Sequence, residues 1–328
     1  MRPTWTKLLA LLLGLTLVAA ACGDSDSDDG DADTEATEAA GDDGGDADTG
    51  VLEFRALDAG GPITKEALSA GDIDVALLFT SDADIAVNGW VLLDDDQGLQ
   101  QIENLTPAIR TEVLTPEIET VLDAVSAPLT TAELTELNRQ STQDLIDADE
   151  IAATWLESQG IIPWAGDPVD GSIRVGSTNF FEQEIVAELY AGALESAGMT
   201  VSRTFQLGAR EVVAPALESG EIDLYPEYLG TYSVFAGAES VPSDAAEAAD
   251  QLRGLLEDRG VTVLTPAPAE DRNGLVVTQE TADTYGLSAT SDLAGVTDVL
   301  TFGGPPECPD RDFCLIGLTE VYGLTFQE

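Results

Sequence analysis

Two aromatic residues occupy matching places in two near-identical phrases. Phe79 ends ALSAGDIDVALLF and Tyr228 ends ALESGEIDLYPEY, at an offset of 149, the difference between 228 and 79. Both phrases run Ala-Leu, two residues, Gly, an acid, Ile-Asp, and then on to a ring. The face of an aromatic ring carries partial negative charge, so each face turned to a cation contributes about 0.5 to 2 kcal/mol once water is excluded. Two such rings brought together form a pincer for a small cation. The plainer alternative is that helix, Gly and strand recur in any α/β protein and that both rings are core.

Other chemistry is narrowed by what the chain lacks. It has no histidine, which removes Ser-His-Asp and Cys-His triads, His-ligated zinc and the usual near-neutral proton shuttle. Carboxylate pairs can do acid and base work, but 62 acids are scattered along the chain and no pair stands out by spacing. No enzyme, metal site or cofactor is expected. Against 13 Lys plus Arg those acids give a formal charge of −49, which repels nucleic acid and anionic membrane surfaces. In the run DSDSDDGDAD no register puts Gly at position six and Glu at position twelve together, as a calcium-binding loop needs.

The elements that must position the two rings are legible around them. From Ile173 to Gly198 an apolar strand meets a Gly-Ser-Thr-Asn break, and then Ile185, Leu189, Ala193 and Leu194 recur at helical spacing. Asn179 with Glu182 three residues later fits a helix N-cap with its reciprocal carboxylate, and Gly198 fits the stop. TVSRTFQLG follows as a strand, AREVVAPALESG as a helix ended by Gly220, and EIDLYPEY as a strand. Such a β-α-β-α-β run calls for a parallel sheet. The first copy has the same grammar: LDAGGPITKEALSAG gives a helix with Pro62 near its start and Gly71 at its end, then the strand DIDVALLF. Phe79 and Tyr228 thus fall at the carboxyl ends of strands, where ligands gather in α/β sheets.

The chain opens with Arg2, Lys7 and LLALLLGLTLVAA, the pattern of an export signal over residues 1–21. Small residues then lead into Cys22, resembling a bacterial lipobox, with Ala19 where leucine is commoner. On that reading Cys22 is lipidated; the alternative is a plain secretory signal with a spare thiol. Residues 22–50 are then an anchored acidic tether, too poor in apolar side chains to offset the entropy of ordering. In an exported chain Cys308 and Cys314, in GGPPECPDRDFC, are expected to form a disulfide.

Several long stretches carry a family resemblance. VGSTNFFEQEIVAELYAGALESAGMTVSR, LGAREVVAPALESGEIDLYPEYLGTY, PAPAEDRNGLVV, FGGPPECPDRDFCLIGLTEVYGLTF and LDAGGPITKEALSAGDIDVALLFTSDADI resemble the substrate-binding proteins of ABC importers for glycine betaine, choline and related osmoprotectants. The resemblance implies a bilobed, periplasmic-binding-protein-like α/β fold, two mixed or parallel sheets flanked by helices with a ligand cleft between the lobes. It also implies a small-molecule ligand, a permease subunit as partner and a place on the outer face of the cytoplasmic membrane or in the periplasm. A surface sensor or adaptor with the same fold is the alternative.

The order of these stretches departs from the family, whose members open with the stretch like VGSTNF and close with the one like WLESQG. Here the closing half comes first, as in a circular permutant joined near residues 161–171. By the family's layout one lobe spans residues 90–268, and the other is assembled from 51–89 and 269–328. A monomer is expected, since one chain supplies both lobes; a swapped dimer of truncated halves is the competing account.

Carried over position by position, the resemblance implies ligand contacts from Phe79, Thr80 and Asp82, from Thr178, Asn179 and Gln183, from Tyr228 and Thr231, and from Asn273. Two tyrosines common in the family's aromatic cage are absent, Asn273 standing at one place and no aromatic near Glu103 or Asn104 at the other. Glu103, turned inward, would put a charge where a ring is lost. Tyr225, Tyr232 and Trp90 are candidate replacements, with core packing the plainer role. Arg210, Arg272 and Arg311 stand out among few bases; each can meet a ligand carboxylate or form a structural ion pair.

Overall fold

A computed structural model describes residues 49–327, so Cys22, the leader and nearly all of the acidic tether lie outside the described residues. From its start the described chain forms β1 (Val51–Ala56), α1 (Pro62–Ala70), β2 (Val75–Phe79), α2 (Asp84–Val87) and β3 (Val91–Leu92). It continues through β4 (Leu105–Arg110), α3 (Pro116–Ser126), α4 (Thr131–Thr142), α5 (Ala148–Ser158), β5 (Ser172–Gly176), α6 (Gln183–Ser196) and β6 (Thr200–Thr204). Then come α7 (Arg210–Ser219), β7 (Leu224–Tyr228), α8 (Leu229–Ala236), α9 (Ala245–Leu256) and β8 (Val261–Val263). The last part holds β9 (Asn273–Val277), α10 (Gln279–Tyr285), β10 (Leu300–Gly304), α11 (Leu315–Tyr322) and β11 (Thr325–Gln327).

These strands make two mixed sheets, ordered β11-β1-β10-β2-β9-β3 and β6-β5-β7-β4-β8. The sheets match strand for strand around the repeated phrases. β2 lies between parallel β10 and antiparallel β9, and β7 lies between parallel β5 and antiparallel β4. The helix before each is closed by a left-handed glycine, Gly71 at φ 73° and Gly220 at φ 75°. The next amide reaches back to the helix in both, Asp72 N–H to Ala67 O at 2.9 Å and Glu221 N–H to Ala216 O at 2.8 Å. A side chain at either glycine would pay for a backbone region that L-residues avoid, so the repeated Gly is a requirement of the turn.

The second sheet is covered on both faces. Val121, Trp155, Leu156, Leu189 and Tyr190 from α3, α5 and α6 pack on one side, and Leu217, Tyr232 and Leu252 from α7, α8 and α9 on the other. Tyr225 and Tyr232 are fully buried there and Trp90 packs on the core beside α1, so the plainer role holds for all three. The chain crosses from the first sheet to the second over residues 93–104 and returns over 264–272. A lobe boundary at residue 90 therefore falls one strand early, because Val91 and Leu92 still pair with Val277 and Val276 of β9.

The helix expected to be capped by Asn179 is capped three residues later, at Glu182, and begins at Gln183. Asn179 donates its N–H to Gly208 O at 3.0 Å, and the Glu182 carboxylate turns away from the helix end. It accepts from Ser81 Oγ at 2.7 Å, from Asn138 Nδ2 at 2.8 Å and from the Tyr228 hydroxyl. Three side-chain donors satisfy a buried carboxylate better than one backbone amide, which is why the capping box does not form.

Candidate functional site

The carboxyl ends of the central strands meet around a cavity of about 310 Å³, a size suited to a small solute. Phe79 closes β2 and Tyr228 closes β7, each as the last residue of its strand. Phe180, in the turn before α6, stands between them. Its ring centroid is 4.8 Å from Phe79 and 6.0 Å from Tyr228, edge to face in both cases. Phe313 completes the aromatic lining. It sits next to Cys314 in a loop closed by the Cys308–Cys314 pair, whose Cα atoms are 5.3 Å apart. Its carbonyl accepts from Gln100 Nε2 at 3.1 Å.

The polar lining has a definite charge pattern. Glu103, Glu227 and Asp271 face the cavity together with Arg210 and Arg272. Arg210 opens α7 and grips buried Glu227 through Nε at 2.5 Å and Nη2 at 2.8 Å, so it forms the structural ion pair. Its Nη2 also donates to Thr231 Oγ1 at 2.6 Å. Thr231 in turn donates to Glu103, from its N–H at 2.9 Å and its hydroxyl at 3.3 Å. Burial pushes the Glu103 carboxyl up to about 8, against the pull of the Thr231 amide and Arg210. Asp271, also buried, accepts from Ser81 N–H at 2.9 Å, and burial together with nearby Glu182 pushes its carboxyl well above the usual range.

Of the nine contacts carried over from the resemblance, Phe79, Thr178, Asn179, Tyr228, Thr231 and Asn273 line this cavity. Asn273 faces Phe79 directly across the β2–β9 ladder. The other three do not line it. Gln183 is fully buried under the first turn of α6. Thr80 is drawn into the crossing, where its Oγ1 accepts from Arg272 N–H at 2.9 Å. Asp82 lines a second cavity of about 580 Å³ that shares Asn179 and Phe180 with the first, and there it pairs with Lys65 at 2.7 Å. Lys65 also pairs with Asp84 at 2.6 Å, so both acids of that second cavity share one lysine.

Phe180 and Phe313 were missed by reading the sequence. The signal for Phe180 is the doubled ring in STNFFE, which leaves one phenyl free to face the strand ends whichever way the turn rolls. Phe313 has a weaker signal, a ring pinned inside the small Cys308–Cys314 loop. Among the described residues no group of three or more His, Cys, Asp or Glu is arranged to hold a metal ion. The arrangement offers ring faces and negative charge to a small molecule.

The family described as the substrate binding domain of ABC-type glycine betaine transport system matches residues 48–158 and 171–328. A glycine-betaine-binding protein of Pseudomonas aeruginosa is 29% identical over 164 residues, 47% of this chain and 52% of that relative. The glycine betaine-binding protein YehZ of Escherichia coli is 31% identical over 125 residues, 37% of this chain and 41% of that relative. The chain thus spans about half or less of the length of the curated relatives it matches. Among solved structures, the PBP AgaA in complex with agropinic acid, from A.tumefacien R10, is 12% identical with a TM-score of 0.34, over 65% of this chain and 52% of that one. With its two matched segments covering most of its length, the chain belongs to the family of substrate binding domains of ABC-type glycine betaine transport systems.

Proposed function

We propose that this chain is an extracytoplasmic solute-binding lipoprotein, anchored through Cys22, that captures a small quaternary ammonium or zwitterionic compatible solute and delivers it to an ABC permease. Its family binds solutes for transport and is not enzymatic. The observation that carries the reading is the ring cluster of Phe79, Phe180 and Tyr228 at the mouth of a solute-sized cavity, drawn from both sheets. A quaternary ammonium has no N–H to donate, so ring faces and carboxylates are the groups that can hold it. The printed names of both relatives, glycine-betaine-binding, point the same way. Closure of the lobes needs only that the solute bind the closed form more tightly than the open one. Among the described residues no helix is long and apolar enough to cross a membrane.

The shuffled order is read as a circular permutation that leaves a working monomer. Two features support it. The family match breaks over residues 159–170, around the expected joint. The two ends of the described body lie side by side as parallel neighbours in one sheet, with Val51 opposite Thr325 and Glu53 opposite Gln327; adjacent surface ends are where a chain tolerates being cut and rejoined.

The direct test is calorimetric titration of the purified chain with glycine betaine, choline, carnitine and proline betaine. Saturable binding of at least one, at one ligand per chain, is expected. Silence from all four would assign the cavity to another class of solute.

A further inference from the structure

The charges lining the cavity do not cancel. Glu227 is taken up by Arg210, which holds it with two hydrogen bonds. Arg272 lies 3.4 Å from Glu270 and is 40% exposed, half turned to water. Glu103 and Asp271 remain, both 7% exposed and in no ion pair among the described residues. A solute carrying its own carboxylate would bring a further acid into a space that already holds two carboxyl groups without an ion-pair partner among the described residues. A permanent cation without a carboxylate meets attraction from both acids and from the rings.

We propose that Glu103 is a specificity-determining residue that makes the cavity select a choline-like cation over a zwitterionic betaine. The inference rests on the reading of the cavity given under Proposed function. Glu103 occupies a place where the resemblance leads one to expect a ring, and its two oxygens are held from one side by Thr231. A trimethylammonium group asks for no hydrogen bond, so the carboxylate attracts it while keeping both Thr231 contacts. The charged groups around Glu103 are Arg210 from α7, Glu227 from β7, and Asp271 and Arg272 from the returning crossing, Asp271 N–H donating to the Glu103 carbonyl at 3.1 Å. Arg210 and Arg272 favour the ionised form, but Arg210 is engaged by Glu227 and Arg272 is paired with Glu270.

A second consequence follows from that setting. With its carboxyl pushed up to about 8 by burial, Glu103 holds its proton at neutral pH before the solute enters. An arriving cation favours the ionised form, and the proton leaves to buffer. Choline affinity therefore rises with pH, by up to tenfold per unit below about 8, and levels off above it.

The experiment is calorimetry on the full chain with choline and with glycine betaine, at pH 6, 7 and 8.5, each in two buffers of different ionisation heat. Choline is expected to bind tenfold or more tightly than betaine at pH 8.5, and to release a proton at pH 7. Glu103→Gln, which keeps the shape and an acceptor for Thr231, is expected to lower choline affinity at least tenfold, to abolish proton release and to change betaine affinity less than threefold. Equal or tighter binding of betaine by the wild type overturns this inference alone, as does proton release that survives in Glu103→Gln. Binding of neither solute overturns the reading of the cavity together with it. The wild-type proton count stands by itself should the variant fail to fold.

Discussion

Tyr228→Ala is expected to weaken capture of a quaternary ammonium roughly thirtyfold, the equivalent of about 2 kcal/mol. The tyrosine contributes in two ways. Its ring lines the cavity beside Phe180, so its removal deletes one of the faces that attract the cation. Its hydroxyl donates to Glu182, the buried carboxylate that also accepts from Ser81 of the first sheet's loop and from Asn138 of α4. Losing that donor loosens a carboxylate that ties the two parts of the body together at the cavity wall. Tyr228→Phe separates the two contributions. It keeps the ring, so affinity is expected to fall less than fivefold, while thermal unfolding reports a loss of about 1 kcal/mol for the missing hydrogen bond. Equal affinity of Tyr228→Ala and wild type would show that the ring does not face the solute.

Glu227→Ala is expected to destabilise the fold by about 3 kcal/mol, lowering the melting temperature by roughly 5 °C. Glu227 is 1% exposed and accepts from Arg210 at 2.5 and 2.8 Å, from the Tyr225 hydroxyl at 3.1 Å and from the Tyr228 amide at 2.6 Å. Removing it leaves a largely buried guanidinium with no counter-charge and strands two further donors. Part of the loss comes from orphaning Arg210, so a paired apolar exchange, Arg210→Met with Glu227→Leu, is expected to recover that part while the Tyr225 hydroxyl and Tyr228 amide stay unpaired and the link to Thr231 is abolished. A melting temperature for Glu227→Ala within 2 °C of wild type would contradict this account of the pair.

The repeated phrase was legible because it is a complete local instruction. Helix, left-handed Gly, strand and terminal ring are all specified within thirteen residues, and the fold repeats them at Gly71 and Gly220 and at Phe79 and Tyr228. The antiparallel partners were not legible. β9 and β4 come from distant parts of the chain, and short apolar runs such as NGLVV and LTPAIR do not declare which neighbour they will pair with. Loops were read at the right place but not residue by residue. In STNFFEQ the turn carries Phe180 to the cavity and buries Glu182 and Gln183, because α6 starts four residues beyond the expected cap. Asp82 went to Lys65, a partner on α1, which no spacing rule would select. The charge of the cavity was legible only in outline: Glu103 could be named as a stand-in for a ring, while the engagement of Arg210 by Glu227 in its place is a tertiary fact.

The central claim is that one chain, with its halves in reversed order, brings rings from both sheets around one cationic solute. A crystal structure of the full chain grown with choline tests it most directly. The account places the trimethylammonium group within about 6 Å of the Phe79, Phe180 and Tyr228 ring centroids, all three from a single chain, with the Glu103 carboxylate beside it. A solute bound in the cavity between Lys65 and Asp84 instead, or caged by rings contributed by two different chains, would contradict it.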